Sequence, residues 1–184
     1  KTSVARKLAE LTCPVHQVRT QSTRSLSAQT HRRAVVSQHV ALERWHGRGR
    51  LRYAVSPRFA PTSTPDQLAT ACQLLREYPG THLQTHLSED KEEINWVKSL
   101  FPSCKNYLDV YKRAGLLGTR STFAHCLHLT EADWEILQDE GCSVAFCPSS
   151  NLFLGSGLLD LPRLQFANVK VGIGTDVGAG TSLS

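Results

Sequence analysis

The sequence predicts an α/β fold with a parallel sheet, and three observations support this prediction. From about Leu42 onward, apolar strand-like runs alternate with helix-like segments. The strands begin roughly 25 to 40 residues apart, which is the spacing of βαβ units. Polar or ionisable residues stand at the ends of several strands, where parallel α/β folds place their sites. Five strands fit an open doubly wound sheet or an incomplete (β/α)8 barrel, and no G-x-G-x-x-G follows the first strand, which disfavours a dinucleotide-binding sheet.

The elements follow one another in a regular order. We predict strands at 51–59, 81–87, 121–127, 143–150 and 169–176, and helices at 62–80, 88–101, 130–141 and 158–166. Ser63 or Thr64 caps the first helix, and Pro79 ends it. The second helix carries acidic residues in its first turns, where the helix dipole favours them. Gly141 ends the third helix, and Pro162 interrupts the fourth.

Charge divides the chain into two parts. Residues 1–43 hold seven Lys or Arg against two acidic residues, a surplus equal to the +5 of the whole chain, so the remainder is neutral. We interpret 1–40 as an atypical basic segment, poorly ordered and solvated, with a transit-peptide-like leader and an anion-binding arm as alternatives. Residues 41–184 form the folded domain. Because the charge of this domain is balanced, we infer no nucleic-acid partner. No apolar run in the sequence is long enough to span a membrane.

Cysteine and methionine usage bears on compartment and completeness. Six cysteines are scattered without any C-x-x-C, which indicates reduced thiols and a cytoplasmic protein, with disulfides as the alternative. The chain begins at Lys1 and contains no methionine. We interpret this as a fragment, a processed chain or a conceptual translation.

The strand ends offer one set of residues with metal chemistry. Because side chains alternate across a strand, the register brings ionisable groups to the C-terminal ends of several strands. These residues are Arg58, His86, His125 and Asp176, with Glu89 just beyond a strand end. Two histidines and an aspartate suit zinc. Each residue alone also has a structural interpretation, such as a satisfied histidine or a helix cap, so the pattern leaves a metal-dependent hydrolase and purely structural roles equally open.

Other candidates are weaker. Trp96 and Trp134 occupy helix positions that suit core packing, and His128 caps or packs at a helix entry. Cys147 has no base spaced to activate it as a nucleophile. The GSG of 155–157 lacks the lysine of a phosphate loop.

Five motifs, in order, carry a family resemblance: YAVSPRFAPT, LQTHLSE, FAHCLHL, FCPSSNLFLGSGL and VGIGTDVGAGTS. They resemble the guanine deaminases of the amidohydrolase superfamily over about residues 41–184. The resemblance implies a (β/α)8 TIM-like barrel of the metal-dependent hydrolase type, of which this chain supplies strands four to eight. It also implies zinc-dependent hydrolysis of guanine to xanthine and ammonia in purine catabolism, one zinc ion, and a homodimer.

The same resemblance implies residue roles. His86 and Asp176 would be zinc ligands, and His125 would bind the metal or orient its water. Glu89 would be the general acid–base, and Asp176 would accept a proton from the attacking water, so the implied catalytic residues are Glu89, Asp176 and His125. The implied substrate-binding residues are Arg58, Phe59, His86, Leu87, Ser88, Glu89 and Asp176. Arg58 and Phe59 would grip the base, and this pair suits an oxopurine.

The sequence departs from the family at its beginning. The family has H-x-H at the end of its first strand, and none of the 184 residues forms that motif. Residues 1–40 are unlike the family's segment, which we explain by a shifted reading frame or a mis-joined exon. We therefore expect weak zinc binding and impaired turnover in this chain. The alternatives are another amidohydrolase nucleobase deaminase, or a catalytically inactive fragment or pseudoenzyme.

Overall fold

A computed structural model describes residues 38–181, so the predictions for the basic segment 1–40 lie almost entirely outside the described residues. The described part begins with helical residues 38–45 and a turn-rich loop at 46–50. Within residues 38–181, no helix is both long enough and apolar enough to cross a membrane.

The centre of the fold is a five-stranded parallel sheet. Its strands are β1 (Ala54–Val55), β2 (His82–Leu87), β3 (Ser121–His125), β4 (Ser143–Phe146) and β5 (Lys170–Ile173). They lie side by side in chain order, and every pair is parallel. A doubly wound sheet reverses its order at a switch point, which this sheet lacks. Because parallel crossovers share one hand, an unreversed order winds in one direction, as in an arc of a barrel. The predicted partial barrel is confirmed.

Each of the four connections between the strands contains at least one helix. They are α1 (Pro65–Glu77), α2 (Lys91–Leu100), α3 (Tyr107–Arg113), α4 (Glu131–Asp139), α5 (Pro148–Leu154) and α6 (Leu161–Ala167), and a 3₁₀ turn lies at Ala60–Thr62. Thr64 caps α1 through a reciprocal pair of hydrogen bonds with Gln67, the capping box that satisfies two free helix-end donors. The sequence prediction did not contain α3 or α5. It extended the strand at 143–150 too far, because Pro148 starts a helix there.

The alternation along β2 shows which side of the sheet is packed. Leu83, Thr85 and Leu87 are buried, whereas His82 and Gln84 on the opposite face are exposed and His86 is half-buried. His82, Gln84 and His86 therefore share one face of the strand, as the alternation of side chains along a strand requires. The buried face joins one apolar core with residues of the helices, including Trp134, whose predicted core position is also confirmed.

One buried hydroxyl ties the loop after β1 to the end of β2. Tyr111 on α3 is fully buried, and its hydroxyl donates to the His86 carbonyl at 2.9 Å while accepting from the Ala60 amide at 2.9 Å. Thr85 Oγ1 lies 3.2 Å from the same oxygen. Because a buried amide without a partner is costly, this hydroxyl fixes the two segments that carry Phe59 and His86 relative to each other.

Candidate functional site

Three of the strand-end residues converge at the C-terminal edge of the sheet. The register pairs Leu87 of β2 with His125 of β3, so the two strands end at the same level. One ligand atom each of Glu89, His125 and Asp176 lies within 4.8 Å of the others, in a group able to hold a metal ion. The His86 ring lies beside this group, with its centroid 5.2 Å from that of His125.

The backbone at these strand ends adopts an unusual conformation. Positive φ angles occur at Ser88 (50°), His125 (71°), Cys126 (57°) and Asp176 (48°), all at or just beyond the end of a strand. The left-handed region costs a residue with a side chain about 1 kcal/mol or more, and such strain clusters where function requires it. The strain is an indication of a functional edge that is independent of side-chain chemistry.

His86 is arranged as a histidine ligand. Its Nδ1–H donates to the Arg58 carbonyl at 2.8 Å, which leaves the lone pair of Nε2 available. Burial lowers the pKa of His86, so its neutral form is favoured. A backbone carbonyl on the remote ring nitrogen is the usual way in which proteins orient a metal-binding imidazole.

His125 is fully buried at the end of β3. Burial, with a further contribution from the charge of His86, lowers its pKa to about 4. Nδ1 is 2.9 Å from the amide nitrogen of Asn151, and Nε2 lies 3.4 Å from Glu89 Oε2 without a hydrogen bond. A buried ring nitrogen without a partner beside a carboxylate is available to a ligand or a reacting group.

Glu89 lies just beyond β2 and faces the two histidines. Burial raises its pKa, and the nearby charge of Asp176 raises it further. Its protonated form is therefore favoured to a higher pH than in an exposed glutamate. A carboxyl group that can keep its proton beside a reactive centre is suited to general acid catalysis.

Arg58 and Phe59 form one wall of the site. The exposed Arg58 guanidinium lies 5.1 Å from the centre of the Phe59 ring, and that ring lies 6.1 Å from the His86 ring. Trp96 of α2 packs edge-on against Phe59 at 6.4 Å and is 47% exposed. The prediction that Trp96 packs in the core is therefore wrong. Trp96 instead packs against Phe59 and supports the aromatic wall beside the histidines.

Leu87 and Ser88 connect the strand ends. Leu87 is fully buried in the apolar core. The Ser88 carbonyl accepts hydrogen bonds from the backbone amides of Leu127 and His128 at 3.1 and 3.2 Å. Through its backbone, Ser88 holds the ends of β2 and β3 together. The His128 ring is half-buried and lies 3.0 Å from the Ser156 carbonyl, in agreement with its predicted packing role.

The residues present fit a zinc ion. Imidazole nitrogen and carboxylate oxygen are ligands that zinc prefers. His86 has a free ring nitrogen with its other nitrogen fixed. Asp176 supplies a carboxylate, and a ring nitrogen of His125 lies within 4.8 Å of that carboxylate. Cys147 is a poor thiolate ligand or nucleophile here, because burial and the charges of Asp176 and Glu89 raise its pKa to about 12.

Sequence reasoning missed Asn151, Tyr111 and the α2 carboxylate Glu93. Asn151 ends the SSN run of a quoted motif, and a polar residue in such a run was the available signal. Tyr111 and Glu93 gave no signal, because their importance depends on burial that the sequence does not show.

Glu93 also gives a prediction about stability. Burial, with the charges of Glu89 and Asp90 adding to it, raises its pKa from 4.5 to about 7. The folded state therefore holds this proton more tightly than the unfolded state, and stability is lost as pH rises from about 4.5 to about 7. At about 1.4 kcal/mol per pKa unit, the loss is about 3 kcal/mol.

We expect Glu93→Gln to remove this loss. In urea unfolding, the variant should have a larger free energy of unfolding than the parent chain at pH 8, and the two free energies should be nearly equal at pH 4.5. The matched control is Glu92→Gln at an exposed neighbouring position. An equal pH dependence in the parent chain and the Glu93 variant would contradict the assignment.

Comparisons with known proteins identify the family and the fold of the chain. A model of the amidohydrolase family matches residues 5–184. Guanine deaminase of Escherichia coli is 56% identical over 143 residues, which is 78% of this chain and 33% of that protein. Its solved structure superposes with a TM-score of 0.81 at 52% identity, over 85% of this chain and 36% of the solved chain.

Two further solved structures resemble the chain more distantly. Guanine deaminase from C. acetobutylicum, solved with guanine in its active site, has a TM-score of 0.78 and 26% identity over 82% of this chain and 36% of its own. An adenosine deaminase from Xanthomonas campestris, solved with bound zinc, has a TM-score of 0.75 and 26% identity. The match covers 80% of this chain and 33% of the solved chain. The chain spans about a third of the length of the curated relatives that it matches. The resemblance given by the five motifs is confirmed, and the chain belongs to the amidohydrolase family.

Proposed function

We propose that this chain forms part of a guanine deaminase, an aminohydrolase that converts guanine and water to xanthine and ammonia. The observation that supports it most is the convergence of Glu89, His125 and Asp176 at one strand edge, with His86 beside them. The aromatic wall of Phe59 borders the same edge. The likeness to guanine deaminases over most of the chain adds support.

Each side chain has a role in this proposal. The Phe59 ring packs against the purine plane, and the Arg58 guanidinium donates to the guanine carbonyl. Asp176 takes a proton from the water that attacks the amino-bearing carbon, and Glu89 gives a proton to the neighbouring ring nitrogen. Asp176 then returns its proton to the amino group, which leaves as ammonia, and the deprotonated Glu89 takes the hydroxyl proton as the carbonyl of xanthine forms. Leu87 and Ser88 would border the bound base through their backbone, since the Leu87 side chain is fully buried in the apolar core.

One zinc ion would be held by His86 and Asp176. His125 either ligates through Nε2 or donates from it, depending on which ring nitrogen carries its proton. When bound, zinc supplies the Lewis acidity that makes water nucleophilic near neutral pH. We further propose weak zinc affinity and low turnover in this chain, because its sequence contains no H-x-H. A homodimer, a cytoplasmic location and the division at residue 40 belong to the same proposal.

Another nucleobase deaminase and an inactive fragment are the alternatives, and one experiment separates the three. Residues 41–184 replace the matching segment of Escherichia coli guanine deaminase, which supplies the remaining barrel. The purified, zinc-loaded chimera is followed by ultraviolet absorbance with guanine, adenine or cytosine. We expect turnover of guanine alone. A folded, zinc-loaded chimera that deaminates adenine or cytosine instead supports the first alternative, and one that deaminates none of the three supports the second.

The same chimera tests how Asp176 is positioned. A Cβ added at Gly180 would clash with the Thr175 carbonyl oxygen and would lie 3.3 Å from that of Asp176, so the turn must shift. Because misplacing a reacting group by about 1 Å costs about 10²-fold, we expect Gly180→Ala to lower guanine turnover by that factor. Gly172→Ala is the control, since its Cβ meets nothing within 4 Å. Equal turnover in both variants would show that the turn does not position Asp176.

A further inference from the structure

Asn151 is a buried residue that lies against the strand-edge cluster. It lies on α5, directly after β4, and its side chain is completely buried. Its amide nitrogen is 2.9 Å from His125 Nδ1 and 3.5 Å from Glu89 Oε1, whereas its Oδ1 has no hydrogen-bond partner. One primary amide therefore contacts two members of the strand-edge cluster at once.

The two N–H groups of Asn151 match these two neighbours. One donates to the ring nitrogen of His125 and the other points to the carboxylate of Glu89, which leaves one acceptor, Oδ1, unpaired. The reversed amide would place Oδ1 against a carboxylate oxygen, where it could accept from an Nδ1–H of His125, but it would leave both N–H groups without those partners. Because burying two unpaired donors costs more than burying one unpaired acceptor, the donating orientation is favoured.

A donor at Nδ1 determines the tautomer of His125. When Nδ1 accepts a hydrogen bond, the proton of the neutral ring must be on Nε2. That nitrogen faces the carboxylates of Glu89 and Asp176, with Glu89 Oε2 at 3.4 Å. A protonated Nε2 has no lone pair for a metal, and Nδ1 is already occupied.

We propose that Asn151 is a positioning residue: its buried amide holds His125 as the Nε2–H tautomer, so that the ring directs an N–H donor into the site. The hydrogen bond would orient the water or the developing negative charge of the reaction, and this part rests on the proposed function. The tautomer itself depends only on the contacts of Asn151.

The first test needs no change at Asn151. The full chain is labelled with ¹⁵N-histidine, and two-bond ¹H–¹⁵N correlation spectra are recorded at pH 8, with the His125 signals assigned by their loss in His125→Gln. We expect the proton on Nε2, and we expect added zinc to shift the ring nitrogens of His86 but leave the His125 tautomer unchanged. A proton on Nδ1 of His125, or zinc bound at its Nε2, overturns the proposal.

The second test reverses the tautomer. Asn151→Asp has nearly the same shape, but an ionised carboxylate can only accept a hydrogen bond, so it requires the proton on Nδ1. We expect the ¹⁵N spectrum to switch to the Nδ1–H form in Asn151→Asp, whereas Asn95→Asp, at an exposed position, leaves it unchanged. An unswitched tautomer in a folded Asn151→Asp chain contradicts the role of the amide. If that variant does not fold, the spectrum of the parent chain decides.

The zinc-loaded chimera then tests the role in the reaction. For Asn151→Asp we expect kcat for guanine to fall about 10- to 100-fold, the usual effect of changing a partner of a site histidine, with KM nearly unchanged. An unchanged kcat with a switched tautomer would refute the role in the reaction. Absence of guanine turnover in the parent chimera, with the Nε2–H tautomer present, refutes the proposed function and leaves the tautomer assignment standing.

Discussion

Replacing His86 with alanine is expected to lower guanine turnover of the zinc-loaded chimera by roughly 10³-fold, which corresponds to about 4 kcal/mol of transition-state stabilisation. The reason is its position. His86 has its Nδ1 fixed by the Arg58 carbonyl and its ring beside the Glu89–His125–Asp176 group. Losing a ligand of this kind removes the metal along with the chemistry that it supplies.

Zinc content and turnover should therefore fall together in the His86 variant. The matched control is His82→Ala, since His82 is on the same face of β2 but is exposed at the opposite end of the strand. We expect His82→Ala to keep both its zinc and its turnover. A His86→Ala chimera that retains stoichiometric zinc, measured after dialysis, would show that the metal is held without this residue.

The sequence predicted the strand-edge residues because strand geometry is local. Alternation along β2 is sufficient to place His82 and His86 on one face, and parallel pairing brings the ends of successive strands to one edge. The positions of Glu89, His125 and Asp176 followed from the same rule. Their mutual distances did not, because these depend on the register between strands and on turns such as the one at Gly180.

The residues that sequence reasoning missed depend on contacts between distant parts of the chain. Tyr111 acts through Ala60 and His86, which are 51 and 25 residues away. Asn151 meets Glu89 across 62 residues. Trp96 is a large apolar residue at a helix position that suits core packing, but it contacts Phe59 at the edge of the site instead. In each case the partner, and not the local pattern, determines the role.

The backbone after β3 adopts a conformation that the local φ preferences of its residues do not favour. His125 and Cys126 both adopt positive φ, in successive positions where neither side chain favours it. The strand that precedes them and the hydrogen bonds from the Cys126 and Leu127 amides to the end of β2 hold the chain in this conformation. The same turn directs the His125 ring toward Glu89. No local propensity predicts it, and only the assembled strand ends explain it.

Glu89→Gln is expected to lower guanine turnover of the chimera by about 10² to 10⁴-fold, because glutamine keeps the shape of the side chain but cannot transfer a proton. In the parent chimera, Glu89 acts as the acid and must be protonated. Burial and the charge of Asp176 raise its pKa above 4.5, so the protonated fraction persists to higher pH and then falls. We therefore expect kcat/KM to decline as pH rises through this raised pKa.

The Gln variant should lose this decline together with most of its turnover, while Glu92→Gln, on the exposed first turn of α2, should keep both. The pH profiles of the three proteins, measured with saturating zinc, distinguish a proton-transferring Glu89 from one that only shapes the site. A Gln variant that is slow but has an unchanged alkaline decline would assign the titrating acid to another group. A variant with full turnover would remove Glu89 from the reaction and leave the carboxylate of Asp176 as the proton acceptor and donor at this edge.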